Sequence, residues 1–420
     1  GPMTELAGKA ATLVHELTGV ERVAFFNTGT EAVMAAVRIA RTVTGRRKIA
    51  LFSSSYHGHF DGLLAVKDYD GPQGRAVPMS PGTPSEMVQD VYVLDYGTEE
   101  ALQFIEAHGR ELAAVLVEPV QSRRPDLQPK AFLERVRELT TVSESALIFD
   151  EMIIGFRIHP GGGQAWFGIR ADIVTYGKIV GGGNPIGVVA GKARFLDAVD
   201  GGMWNYGDGS FPERENTFIA GTFNHHPLAM AGANAVLGHL KASGPSLQEN
   251  LNRRTDALAA RLNGYFSGEG LPIGMDHFGS LFHIRAKGDQ ELLYYHLLCR
   301  GVYIWEGRNC FLSTAHTDAD IETLVQAIQE SVEEMRAGGL FEGMKGRVLR
   351  SSGAEEPLEA ASSGMTYPMS SAQKRIYVLS QTKGGELAYH ISGVLVIDGA
   401  LDRGRLEACF GAIIDRHESL

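Results

Sequence analysis

An α/β fold, with a large, mostly parallel sheet domain followed by a smaller C-terminal α+β domain, is the class that the sequence predicts. Three observations predict it. From Thr4 to about Leu240, segments of helical periodicity alternate with short runs of Val, Ile, Leu and Phe that end in Gly, Asp or Pro, the grammar of strand, turn and helix. Those runs are apolar throughout rather than alternating, as expected of strands covered by helices on both faces. Beyond Gly244 the texture changes to long amphipathic helices with brief strand-like pieces between them.

Taken in order, Val23 to Phe26 reads as a buried strand, and Val33, Ala36, Val37 and Ala40 then mark one face of a helix. Leu112 to Val117, Ala146 to Phe149 and the shorter Asp172 to Tyr176 are further buried strands. After Gly244 a helix runs through Leu251, Leu258 and Leu262, strand-like pieces follow at Ser280 to Ile284 and Val302 to Trp305, and a last helix spans about Asp318 to Met335. Between Ala337 and Thr366 six glycines and four serines occur without apolar periodicity, the mark of a linker. The rest reads as helix, strand and helix, too little for an ordinary domain. The expected organisation is a large domain over 4–245, a small one over 246–336, a linker over 337–366 and a terminal fragment over 367–420.

Composition removes whole function classes. The chain has 420 residues, 44% hydrophobic and 21% charged, which excludes disorder and allows a large core. With 39 Lys and Arg against 50 Asp and Glu, the net charge of −11 offers no general attraction for nucleic acid or an anionic membrane. Cys299, Cys310 and Cys409 make no disulfide framework and no Cys-x-x-Cys zinc pattern, which suits a reducing cytosol. No apolar run is long enough to span a bilayer and no charged-then-apolar leader opens the chain. A cytoplasmic protein with no nucleic-acid or membrane partner is expected.

Three places carry candidate chemistry. Thr28-Gly29-Thr30, between a strand and a helix, presents free backbone N–H groups and two hydroxyls where a phosphate could sit, with glycine allowing close approach; the same residues also suit a plain helix cap. Asp150 ends the strand Ala146 to Phe149, where open α/β sheets bind ligands, and could hold a proton on a ring nitrogen or simply cap the next turn. Lys178 follows an apolar strand and precedes Gly181-Gly182-Gly183, a poor setting for a surface lysine and a good one for an amine that condenses with an aldehyde. A phosphate seat, a carboxylate for a pyridinium and an amine for an aldehyde together anchor pyridoxal 5'-phosphate.

Rival chemistries lack parts. His57, His59, His225 and His226 have no cysteine or carboxylate spaced to complete a metal shell, so no metal is expected. Gly161-Gly162-Gly163 and Gly181-Gly182-Gly183 lack the dinucleotide fingerprint spacing.

The blocks Asn27-Thr28-Gly29-Thr30-Glu31-Ala32, Tyr56-His57-Gly58-His59, Phe149-Asp150-Glu151-Met152-Ile153-Ile154-Gly155-Phe156-Arg157, Gly177-Lys178 and Gly221-Thr222-Phe223-Asn224-His225-His226-Pro227 stand in one order. In them the region from Thr4 to Met335 resembles the class III aminotransferases of fold type I, in particular the glutamate-1-semialdehyde aminomutase subgroup. The resemblance implies a seven-stranded sheet, a homodimer with an active site shared between subunits, and pyridoxal 5'-phosphate as cofactor. It implies that Lys178 carries the cofactor and moves the substrate proton, that Asp150 pairs with the pyridine nitrogen, and that Tyr56 and Met152 flank the ring. Thr28, Gly29 and Thr30 would bind the phosphate, joined by Thr222 of the neighbouring subunit, with His57 and Gly221 also counted at the cofactor. The family has a sizeable N-terminal segment ahead of the region equivalent to Thr4, which this sequence is expected to lack.

The terminal stretch Tyr367-Pro368-Met369-Ser370-Ser371-Ala372-Gln373-Lys374-Arg375-Ile376-Tyr377, with Ile414-Asp415-Arg416-His417-Glu418, resembles the opening of a nonribosomal peptide synthetase condensation domain. The condensation motif His-His-x-x-x-Asp-Gly is not in this stretch, so it is expected not to condense. An aminotransferase ahead of a condensation domain resembles the aminating module of a hybrid polyketide and peptide synthase of lipopeptide type. This implies amination of a β-ketoacyl thioester on a carrier protein, with an amino acid as donor, giving a β-amino acyl chain. Phe211 to Phe218 and Val302 to Arg308 resemble that subgroup, although their aromatic content alone favours plain packing. An aminomutase shares every anchor but needs no external amine. A noncatalytic docking module keeping the fold is the other alternative, and the intact Lys178 and Asp150 argue against it.

Overall fold

The computed structural model describes residues 4–205, 207–286, 288–305 and 307–341, all within the first of two compact units, Gly1–Ser351. The expected fragment over 367–420 and all but the first residues of the expected linker lie outside the described residues.

Helix α1 (Glu5–Thr18) buries Ala7, Ala10 and Val14 along one face and stops at Gly19, whose φ of 72° lets its N–H close on the carbonyl of His15. Strand β1 (Arg22–Phe26) leads into α2 (Gly29–Thr44), which buries Val33, Ala36, Val37 and Ala40 as the sequence predicts. The sheet continues with β2 (Lys48–Phe52), β3 (Val91–Leu94), β4 (Leu112–Val117), β5 (Ala146–Asp150), β6 (Ile173–Gly177) and β7 (Gly187–Gly191). Its order is β1-β7-β6-β5-β4-β2-β3, and only β7 runs against its two neighbours.

Both faces of this sheet are packed. Along β5, Leu147 and Phe149 enter one apolar cluster while Ala146 and Ile148 enter the other, the period of two expected of a strand between helical layers. A fully buried Leu, Ile or Phe side chain of this kind contributes about 1.5–3 kcal/mol. Asp150 is the first residue past that run that has somewhere polar to go.

The smaller sheet is β8 (Gly274–Phe278), β9 (Leu281–Arg285) and β10 (Cys310–Phe311), all antiparallel. It packs with two long helices, Ser246–Gly268 and Asp318–Ala337, around Leu258, Leu262, Phe266, Val325 and Ile328. The second helix opens with a capping box, the Thr317 hydroxyl accepting from the Asp320 N–H while the Asp320 carboxylate accepts from the Thr317 N–H. One expectation fails. Residues 302–305 are not a strand: Val302 and Ile304 pack on the core and Tyr303 and Trp305 face out, but among the described residues no strand lies alongside to complete a ladder. The alternation alone imitated a strand. No described helix is long and apolar enough to cross a membrane.

Candidate active site

The carboxyl ends of β1, β2, β4, β5 and β6 meet at one cavity of about 900 Å³, where an open α/β sheet places its ligand. Thr28, Gly29, Thr30, Tyr56, His57, Asp150, Met152 and Lys178 all line it. The opposite wall comes from the smaller sheet and the segment before β10, through His283, Trp305, Arg308, Asn309 and Phe311.

Asp150 is held from three sides. It is 3% exposed. The His57 Nδ1–H donates to its Oδ2 at 2.8 Å, and Oδ1 accepts from the Thr175 hydroxyl at 3.0 Å and the Met152 N–H at 3.2 Å. Thr175 stands opposite Asp150 in the parallel register of β5 and β6, so sheet pairing itself delivers this hydroxyl. The carboxylate is thereby fixed in orientation while keeping acceptor capacity toward the cavity. His57 is also buried, and its Nε2 has no partner: an unsatisfied polar atom at this end of the cavity, of the kind that marks a functional site.

Lys178 begins the short turn after β6 with a φ of 48°, rare for a residue bearing a Cβ. Such a conformation costs on the order of 1–3 kcal/mol and persists only where the surroundings enforce it. Gly177 before it is required: a Cβ there would lie 2.3 Å from the Met152 sulfur and 3.1 Å from the Ile186 carbonyl. Gly29 faces the same thioether, its virtual Cβ 2.9 Å from Sδ. Met152 is thus wedged over two glycines on one side of the cavity.

At the opposite strand end, Thr28 caps α2 by accepting from the Glu31 N–H at 3.1 Å, and Glu31 returns to the Asn27 N–H at 2.8 Å, an arrangement worth about 1 kcal/mol. Thr28 thus caps the helix through its hydroxyl and also lines the cavity. The Thr30 hydroxyl accepts from the His59 N–H at 3.3 Å, which ties this turn to the Tyr56-His57 loop.

Several residues here escaped the sequence reading. Glu118 is 4% exposed and accepts from the N–H groups of Tyr56 at 3.1 Å and Ser122 at 3.4 Å. Burial pushes its carboxyl up to about 7; the nearby His57 draws it down and the Asp150 charge raises it again. The signal was available, because Glu118 ends the apolar run of β4 just as Asp150 ends that of β5. Thr175 gave no signal, lying inside an apolar strand. Glu151 turns away from the cavity: it accepts from the N–H groups of Gly163 and Gln164 at 2.6 and 2.9 Å, and burial pushes it up to about 8.

Gly221 and Thr222 do not line the cavity of their own chain. Both are exposed, and in their loop the Asn224 Oδ1 accepts from Asn27 Nδ2 at 3.0 Å. Among the described residues no cluster of three His, Cys, Asp or Glu side chains is placed to hold a metal ion.

The model of the class-III aminotransferases matches residues 2–331. The chain belongs to that family. Its members depend on pyridoxal phosphate, and this chain is a pyridoxal-phosphate-dependent aminotransferase. It is 37% identical over 351 residues to the glutamate-1-semialdehyde 2,1-aminomutase of Alkaliphilus oremlandii, covering 80% of each chain, and 36% identical over 348 residues to that of Acetivibrio thermocellus, covering 78% and 77%. Among solved structures it resembles an omega-transaminase from Sphaerobacter thermophilus, at a TM-score of 0.71 and 30% identity over 79% of each chain. A β-phenylalanine aminotransferase from Variovorax paradoxus gives 0.67 and 33% identity, over 80% of this chain and 76% of that one. A condensation-domain model matches residues 364–420.

The residues fit the family's cofactor. A buried, pinned carboxylate, an amine on an enforced backbone, the unsatisfied His57 Nε2 and a glycine-lined cleft under Met152 stand around one cavity.

Proposed function

We propose that this chain is the aminotransferase of a biosynthetic assembly line, moving an amino group from an amino-acid donor to the β-keto carbon of an acyl thioester held on a carrier protein. The observation that carries this reading is the condensation-domain match at 364–420, placed directly after an aminotransferase: a domain type that joins carrier-bound acyl groups follows one that would furnish an amine. The exchange balances without oxidant. The donor leaves as a keto acid and the ketone of the acceptor becomes an amine.

Pyridoxal phosphate, when bound, supplies an aldehyde that holds the amino group and a ring that draws electrons from the substrate carbon. In this reading Lys178 Nζ holds that aldehyde between turnovers, and once freed by the donor amine it carries a proton to and from the substrate carbon. The Asp150 carboxylate keeps a proton on the ring nitrogen, and His57, Thr175 and the Met152 N–H hold the carboxylate in place. Thr28, Gly29 and Thr30 bind phosphate at the start of α2, while Tyr56 and Met152 flank the ring. Gly221 and Thr222 would complete the phosphate seat of a second copy in a homodimer, which accounts for their exposure in their own chain.

Incubating the full chain with cofactor, amino acids and a β-ketoacyl carrier protein, followed by intact-mass analysis of the carrier, should show the keto-to-amine shift. A carrier that stays unmodified while free keto acids are aminated would overturn the reading. The aminomutase relatives at 36–37% identity favour a second reading, in which amino-group transfer within one glutamate-1-semialdehyde molecule proceeds with no external donor.

A further inference from the structure

Beside the catalytic cavity lies a second, partly open one of about 450 Å³, bordered by β9, β10, the segment 301–305 and the first turns of the helix Asp318–Ala337. The two cavities share Trp305, Asn309 and Phe311 as a common wall. Beyond that wall the second cavity is lined by Phe282, Val302, Ile304, Leu312, Ile321 and Leu324.

Four of its polar side chains are already engaged within the chain. Asp320 accepts from the N–H and hydroxyl of Thr317, at 2.7 and 2.8 Å. The Thr323 hydroxyl donates to the Ala319 carbonyl at 2.9 Å, and Asn309 Oδ1 is taken by His283 Nε2. His316 Nδ1 accepts from the Ser313 N–H at 3.0 Å. An occupant therefore gains little from polar groups of its own and much from apolar surface removed from water.

The catalytic cavity carries more charge. Its walls include Glu118, Arg123, Asp150, Lys178 and Arg308 beside the apolar Val33, Met152 and Ile153, so carboxylate and thioester groups find partners there. A carbonyl carbon brought to Lys178 bears two substituents. One leaves toward the thioester and its carrier; the other can lie along Trp305 and Phe311, which also line the second cavity.

Resting on the assembly-line reading above, we infer that the cavity behind Trp305 and Phe311 receives the aliphatic chain of the β-ketoacyl acceptor, so that its depth sets which chain lengths are aminated. Ile321 and Leu324, one helical turn apart, form its floor. Trp305 and Phe311 are the entrance.

The test uses the full chain with cofactor and a series of β-ketoacyl pantetheine thioesters lengthened by methylenes. Expected is a rise in kcat/KM of about fourfold per added methylene, the equivalent of about 0.8 kcal/mol each, until the cavity is full and the profile levels. Leu324→Trp, which fills the cavity from its floor, should end that rise at a shorter chain and lower the long-to-short preference by tenfold or more. Ile321→Trp is the second variant should the first fail to fold, and the donor half-reaction, read by absorbance without any acceptor, reports the folding of each. Binding of the matching unreactive β-hydroxyacyl thioesters, read by tryptophan fluorescence, should follow the same length dependence. A flat length profile with thioesters still aminated overturns the acyl cavity and leaves the assembly-line reading standing. Absence of amination on every thioester, with free keto acids accepted, overturns the reading beneath it. A flat profile accompanied by a change in oligomeric mass in Leu324→Trp assigns the cavity to a subunit contact and also overturns the inference.

Discussion

The two walls of the catalytic cavity are built on opposite principles. The sheet wall is over-determined: Asp150 has three donors, Lys178 is forced into a left-handed backbone, and Gly29 and Gly177 each lie close against the Met152 thioether. The facing wall is loosely tied. Tyr303 is 75% and Trp305 62% exposed, and the segment carrying them pairs with no described strand. A chemical step needs fixed distances, whereas admitting varied acceptors needs a surface that can adjust. Under the proposed function the contrast would put chemistry on the sheet and selection on the smaller region.

The largest test of the rigid wall is Lys178→Ala. Turnover should fall by about 10⁴-fold or more, and the cofactor should no longer be trapped on the protein by borohydride; a surviving adduct would place the amine elsewhere. Next comes Asp150→Asn, which keeps the shape but removes the charge. It should retain cofactor and lose about 10²–10³-fold in kcat. Near-normal turnover would break the claim that three donors are spent on fixing a working carboxylate. Gly177→Ala drives a methyl group against the Met152 sulfur and should destabilise the fold by about 1–3 kcal/mol in urea unfolding, with weaker cofactor binding.

A smaller effect concerns pH. Glu118 and Glu151 are raised by burial to about 7 and about 8, so between their unfolded values and those figures the folded state holds protons that the unfolded state has lost. Stability should then fall as pH rises from about 4.5 through 7 to 8 and level off above. Glu118→Gln should make that slope shallower up to pH 7, measured as urea midpoints. The smallest effect is expected on the loose wall: Tyr303→Ser should change stability by no more than about 0.5 kcal/mol. A larger loss would show that this wall is held more tightly than its exposure indicates.

How much of this was legible follows the same division. Asp150 and Lys178 could be read because each interrupts an apolar strand at its end, where a polar residue has few structural uses. Glu118 obeys the same rule and could have been read too. Thr175 could not, since its role comes from standing opposite Asp150 across two strands 25 residues apart, and register between strands leaves no local mark. Residues 302–305 were misread because side-chain alternation reports which way residues face, not whether a neighbouring backbone is present to bond with. The fold class survives such errors because the long apolar runs of β4 and β5 leave few other architectures.

Strand β7 runs against both of its neighbours, and its first residue, Gly187, stands opposite Phe26 of β1 and Gly177 of β6. A Cβ on Gly187 would fall 2.1 Å from the carbonyl of Thr28, so the backbone there is in contact with the turn that begins α2. Local fraying at this one glycine would release the turn that begins α2 and the lysine-bearing turn in a single event. Deuterium uptake at the amides of Phe26 and Gly177 should therefore rise and fall together, and loading with cofactor should slow both by the same factor.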